Sequence, residues 1–130
     1  MASTMNTLLK NWNEKYFARV GCVVEELSSS GGDKTYTWFY GFGEGRVRVM
    51  TNRKQATIFV ERNLDSRARY NKVYMIRNYI VLKGALEAIY SVFAYAGRKY
   101  SSFAEAADVL EIILWAMVTE NEISATKQDE

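Results

Sequence analysis

The sequence predicts an α+β fold: a short N-terminal helix, about five mostly antiparallel strands, then two C-terminal helices packed on one sheet face. Three observations carry this. Between residues 17 and 82, apolar residues alternate in short runs separated by turn-forming stretches. Beyond Leu82 the apolar spacing widens from two residues to about 3.6. A length of 130 residues, 48% apolar and 25% charged, suits one globular domain.

Leu8, Trp12 and Tyr16 recur every four residues and predict an amphipathic helix near residues 6–15. Phe17 to Leu27 turns β-branched, with Val20, Val23 and Val24, and runs into the turn-rich Ser28–Asp33. Lys34–Phe42, Arg46–Thr51 and Gln55–Glu61 read as strands, joined by Gly43-Glu44-Gly45 and by Asn52-Arg53-Lys54. After a loop starting at Asn63, a further strand is expected from Tyr70 to Leu82. The short connections imply antiparallel pairing.

Leu82, Leu86, Ile89 and Phe93 predict a helix over roughly 83–96, with Gly97, Arg98 and Lys99 as its stop. Ser102-Phe103-Ala104-Glu105 has the pattern of a capping box, opening a last helix that runs to about Val118. Residues 1–118 are expected to form one domain. Residues 119–130, polar and without periodicity, are expected to form a flexible tail.

The last helix is apolar around most of its circumference, with Glu105, Asp108 and Glu111 as its only polar side chains from Phe103 to Val118. A helix lying on a sheet needs a narrower apolar stripe. The surplus at Val109, Ile112, Trp115 and Ala116 therefore predicts a homodimer or larger homo-oligomer. The three carboxylates are read as a solvated stripe.

Charge is segmented along the chain. Residues 1–33 carry three basic and four acidic side chains, residues 34–100 thirteen and four, and residues 101–130 one and seven. A middle segment at +9, holding half of the eighteen aromatics before residue 80, has the composition of a polyanion-binding surface. Neutralisation by the acidic C-terminal segment of the same or a neighbouring subunit is the competing explanation.

Hairpin register decides what the aromatics do. A two-residue loop pairs Tyr40 with Val47 or Val49, placing Tyr36, Trp38 and Tyr40 in the core and Arg46 and Arg48 outside. A three-residue loop pairs Tyr40 with Arg48 and builds a platform that stacks bases and holds phosphates. Under either register, Arg46, Arg48, Arg53, Lys54, Arg62, Arg67, Arg69 and Lys72 are the candidate phosphate contacts. Tyr36, Trp38 and Tyr40 join them only under the three-residue loop.

Catalysis and metal binding find little support. The chain has no His, the commonest general base and metal ligand, and Cys22 lacks both a disulfide partner and an activating imidazole. Gly41–Val47 is one residue short of a kinase glycine loop and opens no helix. No catalytic residue, metal or small-molecule cofactor is expected. The first twelve residues lack the basic and apolar regions of a secretory signal, and the run Ile112–Val118 is far short of the ~20 residues a membrane span needs. A cytoplasmic setting, in a cell or within a virion or infected cell, is expected.

Asn52-Arg53-Lys54 leading into Thr57-Ile58, Val60 and Glu61 resembles a turn and strand of the coat proteins of single-stranded RNA phages. The order of strands before two helices is similar to that family's plan. The matching stretch covers about ten residues, and the chain departs from the family in its aromatic content and N-terminal helix; no site residue is carried across. The resemblance implies a coat or assembly subunit that packages RNA. The residues themselves favour a non-enzymatic, dimeric protein that binds RNA or single-stranded DNA. A third expectation is an inhibitor or adaptor that engages another protein through the apolar last helix.

Overall fold

The computed structural model describes residues 4–17, 27–28, 36–52, 54–62, 72–119 and 124–127. Helix α1 (Met5–Trp12) passes directly into a π-helical turn, Asn13–Phe17. Strands β1 (Leu27–Ser28), β2 (Tyr36–Phe42), β3 (Gly45–Thr51), β4 (Ala56–Glu61) and β5 (Lys72–Ile76) follow. Helices α2 (Tyr79–Phe93), α3 (Ala96–Lys99) and α4 (Phe103–Thr119) come next, and β6 (Ser124–Lys127) is last.

The strands form one antiparallel sheet in the order β1-β2-β3-β4-β5-β6, each beside its neighbour in sequence. Side chains alternate across it, so a single register assigns every one to a face. Phe42 pairs with Gly45, leaving Gly43-Glu44 as a two-residue loop and setting Tyr40 opposite Val47. Gly43 has φ 65°, the left-handed first position that a type II′ turn requires of glycine.

The inner face thus carries Trp38, Tyr40, Val47, Val49, Ile58, Val60, Tyr74 and Ile76, all buried. Leu82, Leu86 and Ile89 of α2 cover it, together with Ala106, Leu110 and Leu114 of α4 and Leu8, Leu9 and Trp12 of α1. Truncating one of these large aliphatic residues to alanine costs roughly 2–5 kcal/mol. Phe17 stacks on Tyr40 at 4.1 Å and meets the Tyr90 edge at 5.5 Å, tying the π turn to β2 and α2. Asn6 of α1 accepts a buried hydrogen bond from Thr51 of β3 at 2.7 Å.

Several expected boundaries move. The last expected strand, Tyr70–Leu82, stops at Ile76, because the Asn78 side chain accepts from the amides of Ile80 and Val81 and starts α2 there. Helix α2 ends at Phe93 and the chain turns at Tyr95, whose φ is 61°, so Gly97 falls inside α3 instead of ending α2. The expected capping box forms with a shift of one residue. Ser102 accepts from the Glu105 amide, while Glu105 reaches back to the Ser101 amide and hydroxyl. Within the expected tail, Ser124–Lys127 pairs with β5 and extends the sheet. Most of the expected strand Phe17–Leu27, including Cys22, lies outside the described residues; Phe17 belongs to the π turn.

Candidate nucleic-acid interface

All three long helices pack on the inner face, so the opposite face of β2, β3 and β4 carries none of them. Register lines up Phe39, Arg48, Phe59 and Val73 as one cross-strand row on that face, with Arg46 beside Glu61 in the next row. Arg46 reaches diagonally to place its guanidinium carbon 4.2 Å from the centre of the Phe39 ring. Arg48 lies 3.9 Å from the centre of Phe59. Glu61 Oε1 accepts from both Nε atoms, at 2.9 Å from Arg46 and 3.1 Å from Arg48.

The ring faces and the carboxylate hold both guanidiniums in place while their terminal nitrogens remain able to donate. Arg48 Nη1 lies 3.5 Å from the Met50 sulfur, a weak acceptor. Among the described residues, the terminal nitrogens of Arg46 have no acceptor. Two cations against one anion leave this patch with one net positive charge. Lys54 adds another from the exposed β3–β4 turn, where Asn52 accepts from the amides of Lys54 and Gln55.

The two-residue loop removes Trp38 and Tyr40 from any stacking role. Both are buried under the helices, because the register puts them on the valine side of the hairpin. Tyr36 takes the position opposite Thr51 on β3. The aromatics that accompany the arginines are Phe39 and Phe59. Phe39 could have been found from the sequence, since the two-residue register places it with Arg46 and Arg48.

Arg62 is a second correction. At the end of β4 it turns toward α4, where it pairs with Glu111, with Asp108 at 2.9 Å and with the Ala104 carbonyl at 3.2 Å. Burial works against its charge, but the hydrogen bonds and attraction of Glu111 and Asp108 outweigh this and raise its pKa above the ordinary arginine value. Its charge is engaged by α4, where it braces the fold. Lys72 also misses the arginine face: it pairs with Val60, on the inner side, where its ammonium lies 5.9 Å from the Trp115 ring. Arg53, Arg67 and Arg69 lie outside the described residues.

Glu111 does not belong to a solvated stripe. A three-residue step falls about 60° short of a full helical turn, so Glu105 and Glu111 stand about 120° apart around α4. Glu105 and Asp108 are exposed, whereas Glu111 is buried and accepts from the Tyr74 hydroxyl at 3.1 Å. Burial first, then the charge and hydrogen bond of Glu111, push the Tyr74 phenol well above its usual pKa, with Arg62 pulling the other way.

The four residues expected at a subunit interface share one side of α4, turned away from the sheet. Ile112, Trp115 and Ala116 are exposed and Val109 is half-buried. Beside them lies an open cleft of about 550 Å³ lined by Arg62, Lys72, Asp108, Glu111, Ile112 and Trp115. No helix among the described residues is long and apolar enough to cross a membrane. Comparison with protein-family models, curated proteins and solved structures finds no match.

Proposed function

We propose that this is a non-enzymatic, cytoplasmic protein that binds single-stranded nucleic acid, RNA or DNA, on the face of its sheet opposite α1, α2 and α4. The observation that carries the reading is the pair of guanidiniums held over the Phe39 and Phe59 rings. Anchored arginines lose little side-chain freedom when a phosphate arrives, and their planes offer a surface on which an unpaired base stacks. Lys54 extends the contact along the backbone, with Arg53 next to it in sequence. Arg67 and Arg69, in the sequence between β4 and β5, are further candidates. This chemistry positions a strand without reading its bases, so weak sequence preference is expected.

Titration of a fluorescent single-stranded oligonucleotide at several salt concentrations tests the proposal. Binding should weaken with salt, at a log–log slope of about −0.7 per phosphate contact. The pair Arg46→Gln and Arg48→Gln should flatten that slope by about 1.4. Lys83→Gln, exposed on α2 and remote from the face, should leave it unchanged. If the wild-type protein retains no nucleic acid at low salt, the proposal fails.

A second reading, an assembly subunit that packages RNA, uses the same face and adds self-association. The exposure of Ile112 and Trp115 favours it. Light scattering that finds only a small species across protein and RNA concentrations would exclude it.

A further inference from the structure

The exposed side of α4 combines apolar surface with two opposite charges whose spacing suits a twofold axis. Ile112 is 72% exposed and Trp115 53%, the largest apolar side chains that α4 leaves open. Asp108 lies on the same side as Trp115, its side chain 70% exposed, and the Lys72 ammonium lies 5.9 Å from the Trp115 ring.

We infer that α4 pairs antiparallel with α4 of a second copy of this chain across a twofold axis near Ile112, with Lys72 of each copy meeting the other copy's Asp108. Such an axis reverses position along the helix while keeping each lateral side. Trp115 lies three residues beyond Ile112 and Asp108 four residues before it, on the same lateral side. The operation therefore brings the second copy's Asp108 to within one residue, about 1.5 Å of rise, of the level of Trp115. The ammonium at that level is Lys72, and symmetry makes the contact twice. Ile112 packs on its own counterpart at the centre, and on the other lateral side Ala116 faces the second copy's Val109. A parallel pairing would instead keep the second copy's Asp108 at its own level and on the other lateral side, away from Lys72.

The contact is small, one helix stripe and its borders, so a reversible dimer in the micromolar range is expected. It lies on the opposite side of the sheet from Arg46 and Arg48, so its failure and that of the nucleic-acid reading are separable.

Sedimentation velocity over a concentration series is the test. The wild-type chain should move from monomer to dimer as concentration rises. Lys72→Glu alone and Asp108→Lys alone each place like charges together twice, and should weaken self-association by about tenfold or more. An equimolar mixture of the two variants should regain the dimer, since only the mixed pair has opposite charges at both contacts. Ile112→Asp, at an exposed position, should be monomeric yet still bind the oligonucleotide. A wild-type chain that stays monomeric, single charge variants that dimerise like wild type, a mixture that stays monomeric, or dimeric Ile112→Asp would each overturn the inference.

Discussion

Arg62, at the end of β4, donates to the buried carboxylate of Glu111 in the middle of α4 and so locks the helix to the sheet. Tyr74 donates to the other oxygen of the same carboxylate, at 3.1 Å. Arg62→Met removes the cation and leaves that carboxylate in a site that is only 10% exposed at the side chain. The expected loss is about 3 kcal/mol, at the low end for a broken buried pair because Arg62 keeps some solvent contact. Arg62→Met with Glu111→Met should recover much of it, since the charge and its desolvation leave together. Urea denaturation checks both; equal loss in the single and double variants would show that the pair is not coupled.

Glu61 is expected to restrain Arg46 and Arg48. Its Oε1 serves Arg46 and Arg48 at once and halves their combined charge. Glu61→Gln should therefore strengthen oligonucleotide binding at low salt several-fold and steepen the salt slope by about 0.7. Phe39→Leu should do the reverse, by removing the ring over which Arg46 lies. Unchanged affinity in both variants would place the nucleic acid elsewhere on the molecule.

How much of this was legible depended on whether the deciding contact was local. The strand–turn–strand pattern around Gly43-Glu44 and the switch to helical period are local; the hairpin forms where expected, and the helix forms but starts at Tyr79, ahead of the expected residue 83. The face taken by Trp38 and Tyr40 turned on one residue of loop length, which alternation alone leaves open. The pairing of Arg62 is illegible for a different reason. Its partners Asp108 and Glu111 lie more than forty positions along the chain, and no short-range pattern marks a surface-looking arginine as one end of a buried pair. Glu111 escapes a spacing argument because residues three apart do not form one stripe: that spacing drifts around the helix. The β6 strand shows no apolar alternation, so only its pairing with β5 reveals it.

Gly45 is fixed by contact with Phe103, the first residue of α4. A Cβ built at Gly45 runs into the Phe103 ring, which is itself buried and 5.5 Å from Phe93. Gly45→Ala should destabilise by roughly 1–3 kcal/mol through overpacking. Adding Phe103→Leu should return part of this. Gly43→Ala has open space around the new methyl, so its cost is backbone strain at φ 65° alone, about 1–2 kcal/mol. Rescue of the Gly43 variant by Phe103→Leu would contradict this division.

Tyr74 should make the protein sensitive to alkali. Its folded-state pKa lies above the ordinary phenol value near ~10, because burial and the neighbouring Glu111 carboxylate both oppose a phenolate. Below that ordinary value both folded and unfolded chains keep the proton, and the contribution of the Tyr74–Glu111 hydrogen bond is fully present. Above it the unfolded chain releases a proton that the folded chain retains, so each unit of pH costs about 1.4 kcal/mol until the folded pKa is reached. Tyr74→Phe deletes the hydrogen bond and the titration together. It should be less stable than wild type by about 1 kcal/mol at neutral pH. Its deficit should then shrink, and reverse, as pH rises through the alkaline range. Urea midpoints measured against pH for both proteins test this; parallel profiles would mean that the Tyr74 phenol ionises in the folded protein as readily as in water.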